Sequence, residues 1–109
     1  MTTEEALAAL AALAHPTRLA AFRLLVEREP EGMPTGQVAE TLGLTQSTFS
    51  THLAVLVKAG LVVPEKRGRQ MIQRADIPAL RALMLFLVRD CCQGRAELCA
   101  PLLTELQCC

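Results

Sequence analysis

From Thr35 to Val63 the chain reads TGQVAETLGLTQSTFSTHLAVLVKAGLVV, and its apolar positions recur at helical spacing in two short blocks. In the first block Val38, Ala39 and Leu42 fall on one face, and Gly43 follows, a residue type that ends helices in the left-handed conformation. In the second, Phe49, Leu53, Leu56 and Val57 make a buried stripe, Thr45 stands at the N-cap and Gly60 supplies the stop. Thr35 is expected to cap the first block in the same way. The outward positions near the start of the second block are Gln46, Ser47, Thr48, Ser50 and Thr51, all polar and uncharged. Beyond Gly60 the period changes. Leu61–Lys66 and Arg69–Arg74 read as two strands about Gly68, with basic residues at the tip.

Upstream, Thr2 and Glu5 have the spacing of a capping box for a helix EEALAALAALA. Leu7, Leu10 and Leu13 make one stripe, with alanine at the neighbouring positions. Small residues let another helix approach closely, so this helix is expected to pack against a partner, in its own chain or in a second subunit. His15–Pro16 interrupts the pattern, and Pro16 suits the first turn of a second helix that reaches about Arg28, with Leu19, Phe22, Leu25 and Val26 inward. Downstream, Asp76 caps a fifth helix, in which Pro78 is tolerated because it falls in the first turn. This helix is apolar on more than one face: Ile77, Leu80, Met84 and Leu87 on one side, Leu83, Phe86 and Val88 beyond it. Such a helix is either sunk in its own domain or shared with a second subunit. A chain this short has little core to surround it, so an interface is expected.

The pattern predicts one domain over residues 1–109, mainly α with a small β-wing (α+β). The reader spans 35–75, and helices at about 3–14 and 77–92 serve dimerisation. Two short helices, the second polar on its outer face, followed by a hairpin describe a helix-turn-helix with a wing, whose second helix enters the major groove of DNA.

Composition changes this picture little, and charge sharpens it. At 109 residues the chain can enclose one modest core, and with 51% apolar residues, three Phe and neither Trp nor Tyr it favours helix over sheet. The net formal charge is zero, so bulk electrostatics gives no reason to expect nucleic acid. Locally the balance differs. From Thr45 to Arg74, five cations (Lys58, Lys66, Arg67, Arg69, Arg74) face Glu65 alone, which leaves the remainder of the chain at minus four. Phosphate contact requires only such a local patch. The opening MTTEE lacks a basic n-region, and the longest apolar run, Ala82 to Val88, is far too short to span a bilayer, so a soluble, cytoplasmic protein is expected.

ALAHPTRLAAFRLL, followed by LTQSTFSTHLAVLVKAGLV and a basic wing, resembles the ArsR/SmtB family of metal- and metalloid-responsive repressors. The resemblance covers about residues 5 to 90, and TQSTFSTHLAVLVKAGLV is its most specific part. It implies a homodimeric winged helix-turn-helix, dimerised through the first and fifth helices, that binds an inverted-repeat operator in double-stranded DNA and releases it when an inducer binds. By the same resemblance Gln46, Ser47, Ser50 and Thr51 face the groove with Thr48 beside them, and Lys66, Arg67 and Arg69 grip phosphate from the wing tip. His52 matches a histidine of the family, placed either to touch the phosphate backbone or to buttress the helix. Two family sensor sites are missing. MPTGQVAETL holds no CVCDL-type motif, and the only histidines, His15 and His52, leave no Asp/His zinc site along the fifth helix.

What remains is CCQGRAELC, with Cys91, Cys92 and Cys99, similar to a different arsenical-responsive branch of the family. Adjacent cysteines on an intact helix diverge by about 100°, so they converge on one ion only if the helix ends there, which Gly94 allows. Structural zinc wants four ligands. As(OH)₃ instead exchanges three hydroxides for three thiols, leaving a neutral complex and needing no unusually acidic cysteine. That suits the negative end of a helix, which disfavours thiolate. The expected inducer is therefore As(III), or the equally soft Sb(III), with no permanent cofactor. Cys108 and Cys109 read as accessory thiols on a frayed tail. The alternatives are a thiol-redox repressor, with a disulfide from Cys99 to Cys91 or Cys92, and a thiol protein that buffers metalloid. No enzyme is expected, because no cysteine has a base near it in sequence.

Overall fold

The computed structural model describes residues 1–89 together with residue 105, so the cysteine cluster Cys91, Cys92 and Cys99, and the tail thiols Cys108 and Cys109, lie outside the described residues. Five helices and three strands follow one another: α1 (Thr3–Leu13), α2 (Pro16–Glu27), β1 (Met33–Pro34), α3 (Thr35–Thr41), α4 (Gln46–Lys58), β2 (Val62–Arg67), β3 (Gln70–Ala75) and α5 (Ile77–Val88).

The capping box forms as its spacing predicts. Glu5 N donates to Thr2 Oγ1 at 3.1 Å and Thr2 N donates to Glu5 Oε1 at 2.8 Å. The backbone hydrogen bond from Thr2 holds the Glu5 carboxyl below its ordinary range. The face that α1 buries is its alanine face, Ala6, Ala9 and Ala12, while Leu7 is 61% exposed and Leu10 is exposed as well. Alanine brings the helix axis close to the core, and the leucine stripe is left facing outward. At His15–Pro16 the chain turns, and α2 leaves α1 at 102°. Here the histidine is itself the cap: His15 Nδ1 accepts from Thr17 N at 3.1 Å. On α2 the buried residues are Ala21, Phe22 and Leu25. Leu19, expected inward, is 44% exposed, because small Ala21 takes the core-facing arc and rotates Leu19 to its edge.

Phe49, Leu25, Leu56, Leu61 and Val38 are the largest fully buried side chains, so the core lies where α2, α3, α4 and the base of the wing meet. The wing is one residue out of the predicted frame. Arg67 pairs with Gln70 across a two-residue loop, and Gly68 at φ +62° takes the first loop position, as tight hairpins require. A third strand, β1, completes an antiparallel sheet of order β1-β3-β2, with Met33 opposite Gln73 and Pro34 opposite Ile72. Thr35 is not the cap of α3. Pro34 holds that position with no side-chain bond, and the Thr35 hydroxyl donates to Met71 O at 3.1 Å. Its oxygen accepts from Gln73 Nε2 at 2.9 Å. The hydroxyl therefore ties α3 to β3.

Most of α5 remains bare. Leu83 alone is buried, and Met84, Leu85, Phe86 and Leu87 are exposed. The Asp76 cap forms, with Ala79 N donating to Asp76 Oδ1 at 3.0 Å. Among the described residues no single helix is long and apolar enough to cross a membrane.

Gly32, just before β1, sits at φ +73°, and a Cβ there would come within 2.6 Å of the Gln73 carbonyl oxygen and of Arg74 Cγ. Left-handed backbone costs an L-residue about 1–2 kcal/mol before any clash. Gly32→Ala is expected to destabilise by more than about 2 kcal/mol in denaturant unfolding, whereas Gly43→Ala, with open space around it, loses only the backbone term.

Candidate nucleic-acid interface

Phe49 and Leu56 fix the rotation of α4, both at 0% exposure. With that face buried, Gln46, Ser47, Thr48, Ser50 and Thr51 are all exposed, as the stripe predicts. They are not equivalent. Thr45 Oγ1 caps the helix by accepting from Thr48 N at 3.3 Å and donates to Thr48 Oγ1 at 3.0 Å, which occupies the Thr48 hydroxyl in the cap. Ser47 Oγ lies 3.4 Å from Thr45 Oγ1, and Thr51 Oγ1 donates to Ser47 O at 3.3 Å. Gln46 and Ser50 have no side-chain partner among the described residues. They are the two most available to base edges. Gly36 on α3 leaves room for the first of them, since a Cβ there would lie 3.0 Å from Gln46 Nε2. Ser50 opens instead onto a groove of about 350 Å³ that it shares with Leu53, Lys58, Pro64 and Gln73, between α4 and the wing.

On the wing the three cations separate. Lys66 and Arg69 are exposed without a partner among the described residues. Arg67 is engaged twice. Its Nε and Nη2 donate to the two Glu65 oxygens at 3.1 and 3.2 Å, and its Nη1 donates to Glu31 O at 3.0 Å. The hydrogen bond from Arg67 holds the Glu65 carboxyl below its usual range. Arg74 continues the chain of charges inward, bidentate to Glu29 at 3.1 and 2.9 Å and 3.4 Å from Glu65. The result is a Glu29–Arg74–Glu65–Arg67 network that fastens the wing to the end of α2. The exposed Arg67–Glu65 pair contributes little to stability, whereas Arg74–Glu29 is partly buried. The network does remove Arg67 from the freely available cations.

His52 faces the body of the protein. Arg18 Nη1 lies 3.3 Å from His52 Nδ1, and the His15 and His52 rings are 4.4 Å apart at 38°. Of the two roles left open for this histidine, the geometry favours buttressing. Burial, then His15 and Arg18, push its pKa below 6.5, toward the neutral ring. Arg18 was not legible as anything but a helix residue, nor Gln73 as anything but a strand residue, though it is only 3% exposed and pairs with Thr35. Long-range partners leave no local signal. Among the described residues no three His, Cys, Asp or Glu side chains come together as a metal site.

Comparison with known proteins places this geometry. Residues 13–65 match the model of a helix-turn-helix domain. The chain is 46% identical over 82 residues to the HTH-type transcriptional regulator CmtR of Mycobacterium bovis, covering 73% of this chain and 67% of that protein. Its fold is similar to that of an ArsR-like transcriptional regulator from Rhodococcus sp. RHA1, with a TM-score of 0.72 at 26% identity over 89% of each chain. It is also similar to a protein described as a "possible transcriptional regulator for arsenical resistance", with a TM-score of 0.61 at 34% identity over 72% of this chain and 78% of that one.

Each phosphate contact adds about 0.9 to the slope of log affinity against log salt on duplex DNA. Lys66→Ala and Arg69→Ala are each expected to flatten that slope by about 0.9 per bound copy of the chain, about 1.8 where two copies share the site. Arg67→Ala, already neutralised by Glu65, should flatten it by less than either, in binding titrations between 50 and 200 mM salt (about the range in which such slopes are read).

Proposed function

The chain belongs to the ArsR/SmtB family of winged helix-turn-helix transcriptional regulators, and from that premise we propose that it is a dimeric, As(III)-released repressor. The observation that carries the reading is the pair of faces on one molecule. A recognition helix turns Gln46, Ser47, Ser50 and Thr51 to solvent, while α1 and α5 leave Leu7, Leu10, Leu85 and Phe86 exposed. Exposed apolar stripes on two helices are the surface that a second copy would cover. A two-fold dimer presents two recognition helices, and its natural target is an inverted repeat.

In such a complex Gln46 would pair with adenine edges, and Ser50 or Thr51 would serve bases or phosphate. Thr48 supports the first turn through the Thr45 cap, and Lys66 and Arg69 grip the backbone. The inducer reading rests on Cys91, Cys92 and Cys99 together with the likeness to a protein described in connection with arsenical resistance. Three thiols suit a soft trivalent centre: As(OH)₃ takes up three sulfurs and releases three waters, with no net charge left on the complex. The cysteines follow directly on α5, whose last residue is Val88. Closing a three-sulfur site there acts on a helix of the proposed interface. It lowers operator affinity only if the inducer binds the released state more tightly than the DNA-bound one. Couplings of this kind are about 1–3 kcal/mol, which corresponds to roughly 5–150-fold in affinity.

Two measurements test this reading. Arsenite titrated into the protein–operator complex in excess reductant is expected to release DNA, with zinc far less effective. Cys99→Ser should abolish the response while keeping apo affinity. An unchanged arsenite response in Cys99→Ser refutes the three-thiol site, and release that occurs only after the reductant is removed favours the thiol-redox alternative. In the same assay Ser50→Ala should lose about 1–3 kcal/mol on the specific operator and little on random duplex.

A further inference from the structure

One cluster belongs neither to the DNA-facing surface nor to the cysteines. Arg18, on the first turns of α2, reaches back to the end of α1: its Nε donates to Ala12 O at 2.6 Å and its Nη2 to Ala11 O at 3.4 Å. Those carbonyls belong to the last turn of α1, where the i+4 helical donors run out and the dipole end is negative, and Ala11 O also accepts from the cap N–H of Ala14 at 3.2 Å. A guanidinium is the natural cap for them. The third arm of the same guanidinium meets His52 Nδ1 at 3.3 Å, on the recognition helix. One side chain thus links the C-terminal end of α1 to the middle of α4.

The histidine end of this link is chemically restricted. Arginine carries donors only, so His52 Nδ1 must accept, and the ring must be neutral with its proton on Nε2. His15 stands under the same restriction, since its Nδ1 accepts from Thr17 N to cap α2. The rings lie 4.4 Å apart. Among the described residues, the charged or titratable groups acting on His52 are His15 and Arg18, both at the start of α2, and no carboxylate from α1, α3 or β2 is placed to stabilise a cation there. A proton added to Nδ1 of His52 replaces an acceptor by a donor aimed at the Arg18 guanidinium.

We propose that Arg18 and His52 form an acid-sensitive strut that holds recognition helix α4 against the end of α1, so that protonation of His52 loosens the reader and weakens operator binding. The inference rests on the assignment of α4 as the DNA reader and of α1 as a dimerisation helix. It assigns Arg18, His52 and His15 as positioning residues that touch no DNA. The sign of the effect separates it from a phosphate contact. A histidine on phosphate would bind DNA more tightly as the solution is acidified. Here burial first, then His15 and the Arg18 guanidinium, depress the folded-state pKa of His52 below its ordinary value, so the strut is present while the ring is neutral and is lost as pH falls through the lower, folded value.

The test is operator affinity from pH 8 down to 5.5 for wild type and His52→Asn, with thermal unfolding over the same range. Asparagine offers Arg18 an acceptor oxygen that does not titrate. Wild type should lose affinity on acidification by a factor within the roughly 5–150-fold range of such couplings, and His52→Asn should bind as wild type does at pH 8 with a flattened profile. Arg18→Lys, which keeps the charge and loses the fork, should bind weakly at every pH. Affinity that rises on acidification in wild type but not in His52→Asn would overturn the strut in favour of a phosphate contact. Identical profiles in the two proteins would overturn it as well. Wild type that binds no operator even at pH 8 would remove the DNA-reader assignment and the strut together.

Discussion

The polar face of α4 is presented to solvent only because Phe49 cannot turn out. With Phe49 and Leu56 both at zero exposure, α4 has one rotational setting, and the polar positions between and before them have no choice but to face solvent. Removing a buried phenylalanine costs about 3–5 kcal/mol, a large fraction of the roughly 5–15 kcal/mol that holds a domain of this size together. Other contacts refine this setting. The Thr45 cap fixes the first turn, and Gly36 leaves room beside Gln46. The Thr35–Gln73 bond sets the sheet against α3. None of them could substitute for the aromatic anchor.

What was legible in the chain was what repeats locally. The stripes of α3 and α4, the glycine stops, the capping box and the hairpin about Gly68 all follow from spacing within ten residues, and the structure places each of them within a residue of its expected position. The failures have one cause. Leu7, Leu10 and Leu13 read as one stripe with alanine beside it, and the side buried in the chain's own core is the alanine one, because periodicity locates a face without saying which face goes inward. Arg67 looked like a free cation until Glu31, 36 residues away, supplied a carbonyl. Thr35 looked like a cap until Gln73 and Met71 claimed its hydroxyl. β1 is two residues long and contains a proline, so no strand pattern could announce it. In each case the deciding partner is distant in sequence, and a pattern read along the chain contains no term for it.

The inversion of α1 has a consequence for assembly. Its alanine face is narrow and lets the helix axis settle against the core, which leaves two leucines outside instead of enclosed. α5 repeats the arrangement with Leu83 inward and a wide apolar surface outward. Leaving so much apolar area in water costs about 25 cal/mol per Å² relative to burying it, and two adjacent elements with the same excess define a surface awaiting a partner. The position of Arg18 then matters. An element of the proposed interface is joined by a three-armed side chain to the proposed reading helix, without passing through the wing or the sheet.

Electrostatics closes the argument about how binding energy must be distributed. The chain carries no net charge, and the Glu29–Arg74–Glu65–Arg67 network turns the most cationic stretch largely inward on itself. A single reader is thus left with few uncompensated cations at the wing, chiefly Lys66 and Arg69, and correspondingly little of the counterion-release free energy that drives non-specific binding. Weak non-specific attachment is an advantage for a regulator, since specificity is a ratio between operator and everything else. In the proposed dimer, two readers linked through α1 and α5 would make the second contact effectively intramolecular, which raises avidity without new contacts and is lost as soon as the spacing of the pair is disturbed. A dimer built this way would not need a large movement to let go, because a small change at the shared helices would remove the gain from linking the two weak contacts.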